Sequence, residues 1–410
     1  MHTGVSRRRV SAALATTLVT QALASAAVLA PTVVAPLIAI AMGLSVTTIG
    51  VYISLIYIGA IITSVLSGPV IAALGGTRMS QLSLIVTALG LCLIASSIFP
   101  LAVLGTIAIG FGYGPLTPAS SDVLIRSAPP RRLSIIYSLK QTGVPLGGVL
   151  AGLVIPALGL AIGWQWALVA LAGGCLMWAA AMAPFRQRLD GARSGNVKRP
   201  RAREIFEPIR MTIRNTSLRI LAICSFVFSA AQLCLSVYLV TFLTQSLHWQ
   251  IVAAGVGLSI SQAAGAIGRV SWGWAADGRF GSRRTLIVLT TTMAASCVSF
   301  LAVDSLTSRW LLIPLIAVLG ATAVGWNGVF LAAIARLAPP GQTAVVTGGT
   351  LAFTYLGVVM GPPLFGAIAS ASGSFAFAFS TLALPLALCV VLLLRLKDDQ
   401  REVIPHGPLA

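Results

Sequence analysis

The chain has 410 residues, 57% of them hydrophobic and 9% charged, with a mean hydropathy of +0.95. A soluble protein of that size could not solvate so much apolar surface, so the composition excludes a water-soluble globular fold. The net charge of +18 suggests nucleic acid as a partner, but the placement of the charges along the chain excludes that reading too.

Twelve apolar segments follow one another, each long enough to cross a hydrocarbon core of roughly 30 Å as a helix. They are predicted near 12–38, 46–72, 79–99, 101–125, 134–157 and 163–184, then 217–243, 251–276, 284–303, 309–335, 343–369 and 374–394, and are numbered spans 1 to 12. Arg7 to Arg9 before an alanine-rich run have the pattern of a secretory signal, but eleven further spans favour an uncleaved first helix. The abundance of Gly and Ala suits membrane helices whose backbones approach closely.

Of the 27 Lys and Arg residues, 24 fall at the N-terminus, the C-terminus or an even-numbered connection between spans. Only Arg309 lies in an odd-numbered connection. This is the positive-inside pattern, and it predicts a multi-pass protein of a bacterial-type inner membrane with both termini cytoplasmic. Two cations remain unexplained by topology: Lys140 in span 5 and Arg269 in span 8, with no Asp or Glu at comparable depth.

The six cysteines all lie in spans without metal-ligand spacing, so they read as packing residues and no metal or cofactor is expected. Residues 186–216 form the one long polar stretch and divide a six-span half, 1–185, from a second, 217–410. Within that linker, Arg203 to Arg214 alternates apolar and basic residues, which suits either a surface helix on anionic lipid or a flexible connector.

The halves repeat one another. Arg126-Ser127-Ala128-Pro129-Pro130 after span 4 matches Arg336-Leu337-Ala338-Pro339-Pro340 after span 10, an offset of 210. Span 5 carries Gly143-Val144-Pro145-Leu146-Gly147-Gly148, and span 11 carries Gly357-Val358-Val359-Met360-Gly361-Pro362. The loop Gly273 to Arg284, with Asp277, Arg279, Arg283 and Arg284, corresponds to Gly68 to Arg78 after span 2.

With this split of spans, the long central loop and the Gly-x-x-x-Asp…Gly-x-Arg-Arg loop after span 8, the whole chain resembles the major facilitator superfamily of secondary transporters. The resemblance implies an all-α membrane fold of two pseudo-symmetric six-helix bundles that rock around a central site. It also implies that Asp277, Arg279, Arg283 and Arg284 hold the closed cytoplasmic side. The first-half loop departs from the family by carrying Ala72 where an acid is usual, so the gate is expected to rest more on Asp277. Asp122 and Arg126, spaced i, i+4, are expected to pair at the membrane edge.

Arg269 lies eight residues before Asp277, roughly 12 Å inside the end of span 8, and Lys140 is at similar predicted depth in span 5. In the superfamily these two helices face each other across the halves. Two like charges about 8 Å apart at an effective dielectric of about 20 repel by about 2 kcal/mol, so an anion between them would favour closure. Arg269-Val270-Ser271-Trp272-Gly273 followed by Asp277 resembles span 8 of the oxalate/formate exchangers and monocarboxylate porters, where that arginine binds carboxylate. Those exchangers also carry a lysine on span 11. Here the matching region around Thr354 has none, and Lys140 stands at the pseudo-equivalent place on span 5.

Each cation also has a structural reading: Arg269 could brace span 8 against backbone carbonyls, and Lys140 could reach the interface or Asp122. Gln21, Tyr113, Gln141, Gln232, Tyr238, Gln262, Trp326, Asn327 and Tyr355 are further candidates to line a modestly polar cavity. Gly143 and Gly147 resemble the superfamily's span 5 exchanger motif, and close packing of two helices would use them equally.

The sequence therefore predicts a monomeric secondary transporter of small organic anions, by exchange or with protons as the coupling ion. A proton-driven exporter of hydrophobic compounds is the first alternative, weakened by the lack of a deep carboxylate; His2, His248 and His406 lie outside the spans. A receptor without flux is the second alternative. No clustered nucleophile and base or metal set points to an enzyme.

Overall fold

The structure, a computed structural model, describes residues 7–127, 136, 139–190, 202–277, 280–303, 309–337 and 343–396. Within these residues every regular element is helical. Eleven helices have the length and hydropathy to cross a membrane: Arg9–Val33, Gly76–Ala95, Phe99–Ser127, Leu139–Ile162, Trp164–Ala181, Thr216–Gln245, Ile251–Ala276, Gly281–Ala302, Trp310–Ile334, Val346–Ser372 and Phe375–Leu394. Span 2 is the twelfth, bent by 49° between Ile49–Ser64 and Leu66–Leu74. Large apolar side chains such as Trp274, Trp310 and Leu384 point outward, as they would toward lipid.

Three predicted spans differ in outline from the observed ones. Span 1 stops at Val33, and a separate helix, Ala35–Met42, begins with a proline in its first turn and ends at Gly43 in the left-handed conformation. Spans 4 and 10 are each interrupted, at Gly114-Pro115 and at Val324 to Trp326. In span 4, Pro115 and Pro118 lack the N–H groups that would bond Phe111 and Gly114. The two breaks fall at corresponding places in the repeat, where interrupted helices expose backbone groups to a central site.

Packing within each half follows one plan: span 1 lies along span 5, and span 7 along span 11. Small residues permit it. Side chains added at Gly143 and Gly147 would strike the Leu18 and Ala22 carbonyls, and one at Gly357 would strike the Phe226 carbonyl. Between halves, span 5 packs on span 8 and span 2 on span 11. That seam repeats as well. Ser54 donates to the Val359 carbonyl and Ser259 to the Val149 carbonyl, while Gly50 and Gly255, each four residues earlier, lie against Pro362 and Gly152. Ser54, Thr47 and Ser370 mark the face opposite the one that carries Arg126 and Arg336, which we call the basic face.

The predicted linker is helical at both ends, and of the two forms expected for Arg203 to Arg214 the structure has the helix. Residues Ala183–Asp190 form a helix that continues span 6, and Ala202–Arg214 is a second helix, with Thr212 buried and Gly349 of span 11 against its Pro208 carbonyl. In the first-half loop, Asp190 supplies an acid from outside the loop. Its carboxylate accepts from the backbone N–H groups of Thr77 (2.8 Å) and Arg78 (3.2 Å), and Asp122 accepts from that of Gly76 (3.3 Å). Two acids from elsewhere thus cap the N-terminus of span 3, where Ala72 offers none. Gly75, at φ +98°, makes the turn and leaves space for Asp190. Replacing Asp190 with Ala leaves two buried donors without acceptors, and a thermal-unfolding comparison should show a loss of about 1–2 kcal/mol.

Candidate functional site

Span 5 presents two adjacent faces, and their rotation decides where the cations go. Lys140, Gly143 and Gly147 lie on the face against span 1, whereas Gln141, Gly148 and Gly152 lie on the face against span 8. These spacings of three, four and seven residues are one stripe each on a helix.

Because Gly143 and Gly147 let spans 1 and 5 touch, the Lys140 ammonium reaches Gln21 in its own half. It donates to Gln21 Oε1 at 2.9 Å and to Gln141 Oε1 at 3.3 Å, and the residue is only 2% exposed. Gln21 lies twelve residues into span 1 from Arg9, about 18 Å along the helix, which fixes this ammonium deep in the apolar layer. The alternative partner, Asp122, pairs with Arg126 instead, at 3.1 Å.

Arg269 crosses the boundary between halves. Its Nη1 donates to the Gln141 carbonyl at 2.8 Å, and its Nε donates to the Val324 carbonyl at 3.0 Å, at the break in span 10. One turn along, Trp272 Nε1 donates to the Ala321 carbonyl at 3.0 Å and braces the same break. Arg269 is half-buried and therefore reachable, unlike Lys140. Both cations are held by neutral oxygens alone among the described residues. Their expected approach across the halves takes a different form: one residue, Gln141, serves Lys140 with its side chain and Arg269 with its backbone.

Tyr113 extends this network toward span 2. It accepts from Gln21 Nε2 at 3.4 Å and stacks edge-on with Tyr57 at 5.8 Å between ring centroids. Tyr57 was not among the sequence candidates; its signal was a phenol within an otherwise apolar stretch of span 2. On the far wall, Gln232 Oε1 accepts from Trp326 Nε1 at 2.9 Å and Asn327 Nδ2 at 3.3 Å, just past the span 10 break. Trp326 itself is buried between Phe228 and Phe330, so it supports that wall from behind.

Other candidates lie elsewhere. Tyr238, expected in the cavity, is buried in the seam of the opposite face, its hydroxyl directed at the Thr47 carbonyl (2.9 Å) and the Pro362 carbonyl (3.0 Å). Gln262 is likewise buried, against Gly148, and donates to Ser236 at 2.9 Å. Arg283 donates to the Leu393 and Leu394 carbonyls at the end of span 12, and Arg284 is exposed. Arg279 and the side chain of Asp277 lie outside the described residues. A cavity of about 140 Å³ between the opposite-face ends of spans 1 to 4 is lined by apolar groups such as Ile38, Met42 and Phe99. It contains no charged residue and is unsuited to an anion. Among the described residues no three His, Cys, Asp or Glu side chains gather in a way that could hold a metal.

Comparison with known sequences decides the family, for the model of the Major Facilitator Superfamily matches residues 17–356 and again 221–408. The chain belongs to the major facilitator superfamily. An uncharacterized MFS-type transporter of Mycobacterium tuberculosis is 29% identical over 263 residues, which cover 63% of this chain and 56% of the relative, so the match spans little more than half the length of that relative. Solved structures share the fold at lower identity. The nucleoside transporter NupG superposes with a TM-score of 0.76 at 14% identity, over 93% of this chain and 99% of its own. A bacterial homologue of the human lysosomal transporter Spinster, inward-facing and unoccupied, gives 0.73 at 17% identity over 95% of both chains. The fucose:proton symporter of E. coli gives 0.62 at 16% identity, over 93% and 97% respectively. This major facilitator protein is thus a multi-pass membrane protein, with eleven apolar helices among the described residues and the bent span 2 as the twelfth.

The seam bonds generate a direct test. Tyr238→Phe removes the hydroxyl that links span 7 to Thr47 and Pro362, and a cysteine placed at Thr47 should then react faster with a membrane-impermeant maleimide than in the unaltered background. An unchanged rate would mean that the phenol does not hold this face closed.

Proposed function

We propose that the protein carries small organic anions, carboxylates in particular, by alternating access between its halves. One observation supports this most: Lys140 and Arg269 share the interior with neutral acceptors and no carboxylate partner among the described residues. An uncompensated charge in the apolar layer costs several kcal/mol, and such residues mark substrate or ion paths. An anion about 4 Å from one of them, at an effective dielectric near 20, recovers about 4 kcal/mol. Arg269 uses two of its five N–H groups on the protein, and the three left can grip carboxylate oxygens as charge-assisted bonds. Tyr113, Tyr355 and Asn327 supply a neutral polar and aromatic wall for the rest of the ligand.

The basic connections favour a cytoplasmic basic face with both termini inside, which would put the seam at Ser54 and Ser259 on the outer side. The halves 1–185 and 217–410 would be the rocking bodies, joined by 186–216. If the empty site closes poorly with its cations unneutralised, exchange of one anion for another is favoured, and proton symport is open where the substrate itself carries the proton. The apolar cavity of spans 1 to 4 is separate from this site and does not support export of hydrophobic compounds through it.

Vesicles containing the purified protein and loaded with lactate, formate or oxalate should exchange label with external anions. Arg269→Gln and Lys140→Gln should each lose anion binding, while Arg269→Lys and Lys140→Arg should retain more of it. Unaltered exchange by both glutamine variants would make the cations structural, and absence of exchange with every carboxylate would count against the reading as a whole.

A further inference from the structure

Pro145 stands on the span 8 face of span 5, four residues after Gln141. In an α-helix the carbonyl of residue 141 would accept from the N–H of residue 145, and proline has none. Span 5 is broken here, with a turn at Thr142 and a new helix from Gly143, so the Gln141 carbonyl, with Pro145 four residues on, has no helical donor inside the membrane and needs another partner. It finds one across the seam, in Arg269 Nη1 at 2.8 Å. A proline-freed carbonyl meets the other half at the second seam as well, though not at the repeat-equivalent position, since Val359 corresponds to Val149, which has Leu153 four residues on. Pro363 stands four residues after Val359 in span 11, and the Val359 carbonyl accepts from Ser54 of the other half. Proline-freed carbonyls are therefore docking points for donors from the opposite half at both seams.

We infer that Pro145 is a positioning residue for Arg269, which it sets by exposing the Gln141 carbonyl. Resting on the anion reading, this assigns the carbonyl a definite task. With Nε fixed on Val324 and Nη1 on Gln141, the guanidinium is immobilised at two edges, and both N–H groups of Nη2 are left for ligand. Long side chains lose much rotamer freedom on binding, so an arginine ordered in advance binds a carboxylate more tightly. Pro145 touches no ligand in this account. It acts through one backbone oxygen, on the residue beside Lys140.

The test uses Pro145→Ala in the full chain. The substitution restores the N–H, the Gln141 carbonyl returns to its own helix, and Arg269 loses one anchor. Modification of Arg269 by phenylglyoxal, followed by peptide mass spectrometry, should accelerate about tenfold, as expected from one lost hydrogen bond to a charged group. Arg214 serves as the internal standard and should not change. Pro156→Ala, which restores an N–H to Gly152 well away from Arg269, should leave the Arg269 rate unchanged. In vesicles, the KM for whichever of lactate, formate or oxalate the wild type exchanges should rise in Pro145→Ala, and much less so when Arg269 is already Lys. An unchanged phenylglyoxal rate in Pro145→Ala, or an equal acceleration in Pro156→Ala, would overturn the inference and leave the anion reading intact. If the wild type exchanges none of the three anions, the functional reading falls, and the phenylglyoxal comparison still decides whether Pro145 positions Arg269.

Discussion

A positive charge placed in hydrocarbon without a counter-ion is the constraint around which this membrane protein is arranged. Nearly all of its basic residues escape the cost by lying at the ends of spans, where they face water and headgroups. Lys140 and Arg269 do not. Among the described residues their ammonium and guanidinium groups are stabilised by dipoles alone: two glutamine side-chain oxygens and two backbone carbonyls. Dipoles satisfy the hydrogen bonds and leave the charge in place, which is the ground for proposing an anion as its partner.

Span 5 builds that site because its small residues and its prolines divide the work. The glycines facing span 1 bring Gln21 within reach of Lys140, and those facing span 8 allow the two halves to touch. On the stripe facing span 8, Pro145 leaves free a carbonyl that accepts from Arg269. The second half repeats the packing with Gly357 against span 7, but no cation stands there, so the pseudo-symmetric scaffold carries an asymmetric site. Interruption of span 10 contributes the other anchor, the Val324 carbonyl.

Much of this was legible before any coordinates, because hydropathy and charge placement are properties of the sequence alone. The twelve spans and the two buried cations were of that kind. Lys140, Gln21, Tyr113, Gln141 and Arg269 come together in one network because polar side chains in apolar spans have few partners except each other. Helix rotation was not legible, and it sends Lys140 toward span 1, Tyr238 to the opposite-face seam and Gln262 beneath Gly148. Backbone acceptors were equally hidden, since a carbonyl freed by a proline leaves no mark on the residue that owns it. The seam could have been found: Gly50-x-x-x-Ser54 and Gly255-x-x-x-Ser259 stand 205 residues apart, close to the offset of the other repeats. Asp190 could not, because it follows span 6 and caps a helix more than a hundred residues earlier.

An uncompensated positive interior should select for negative charge, and ligand pairs that differ in charge alone isolate that selection. Isothermal titration of the purified protein with lactate, formate and oxalate, and with the corresponding uncharged amides, makes that comparison. At least one carboxylate should bind, and its amide at least tenfold more weakly, a difference of about 1.4 kcal/mol. Equal binding of a carboxylate and its amide would contradict it.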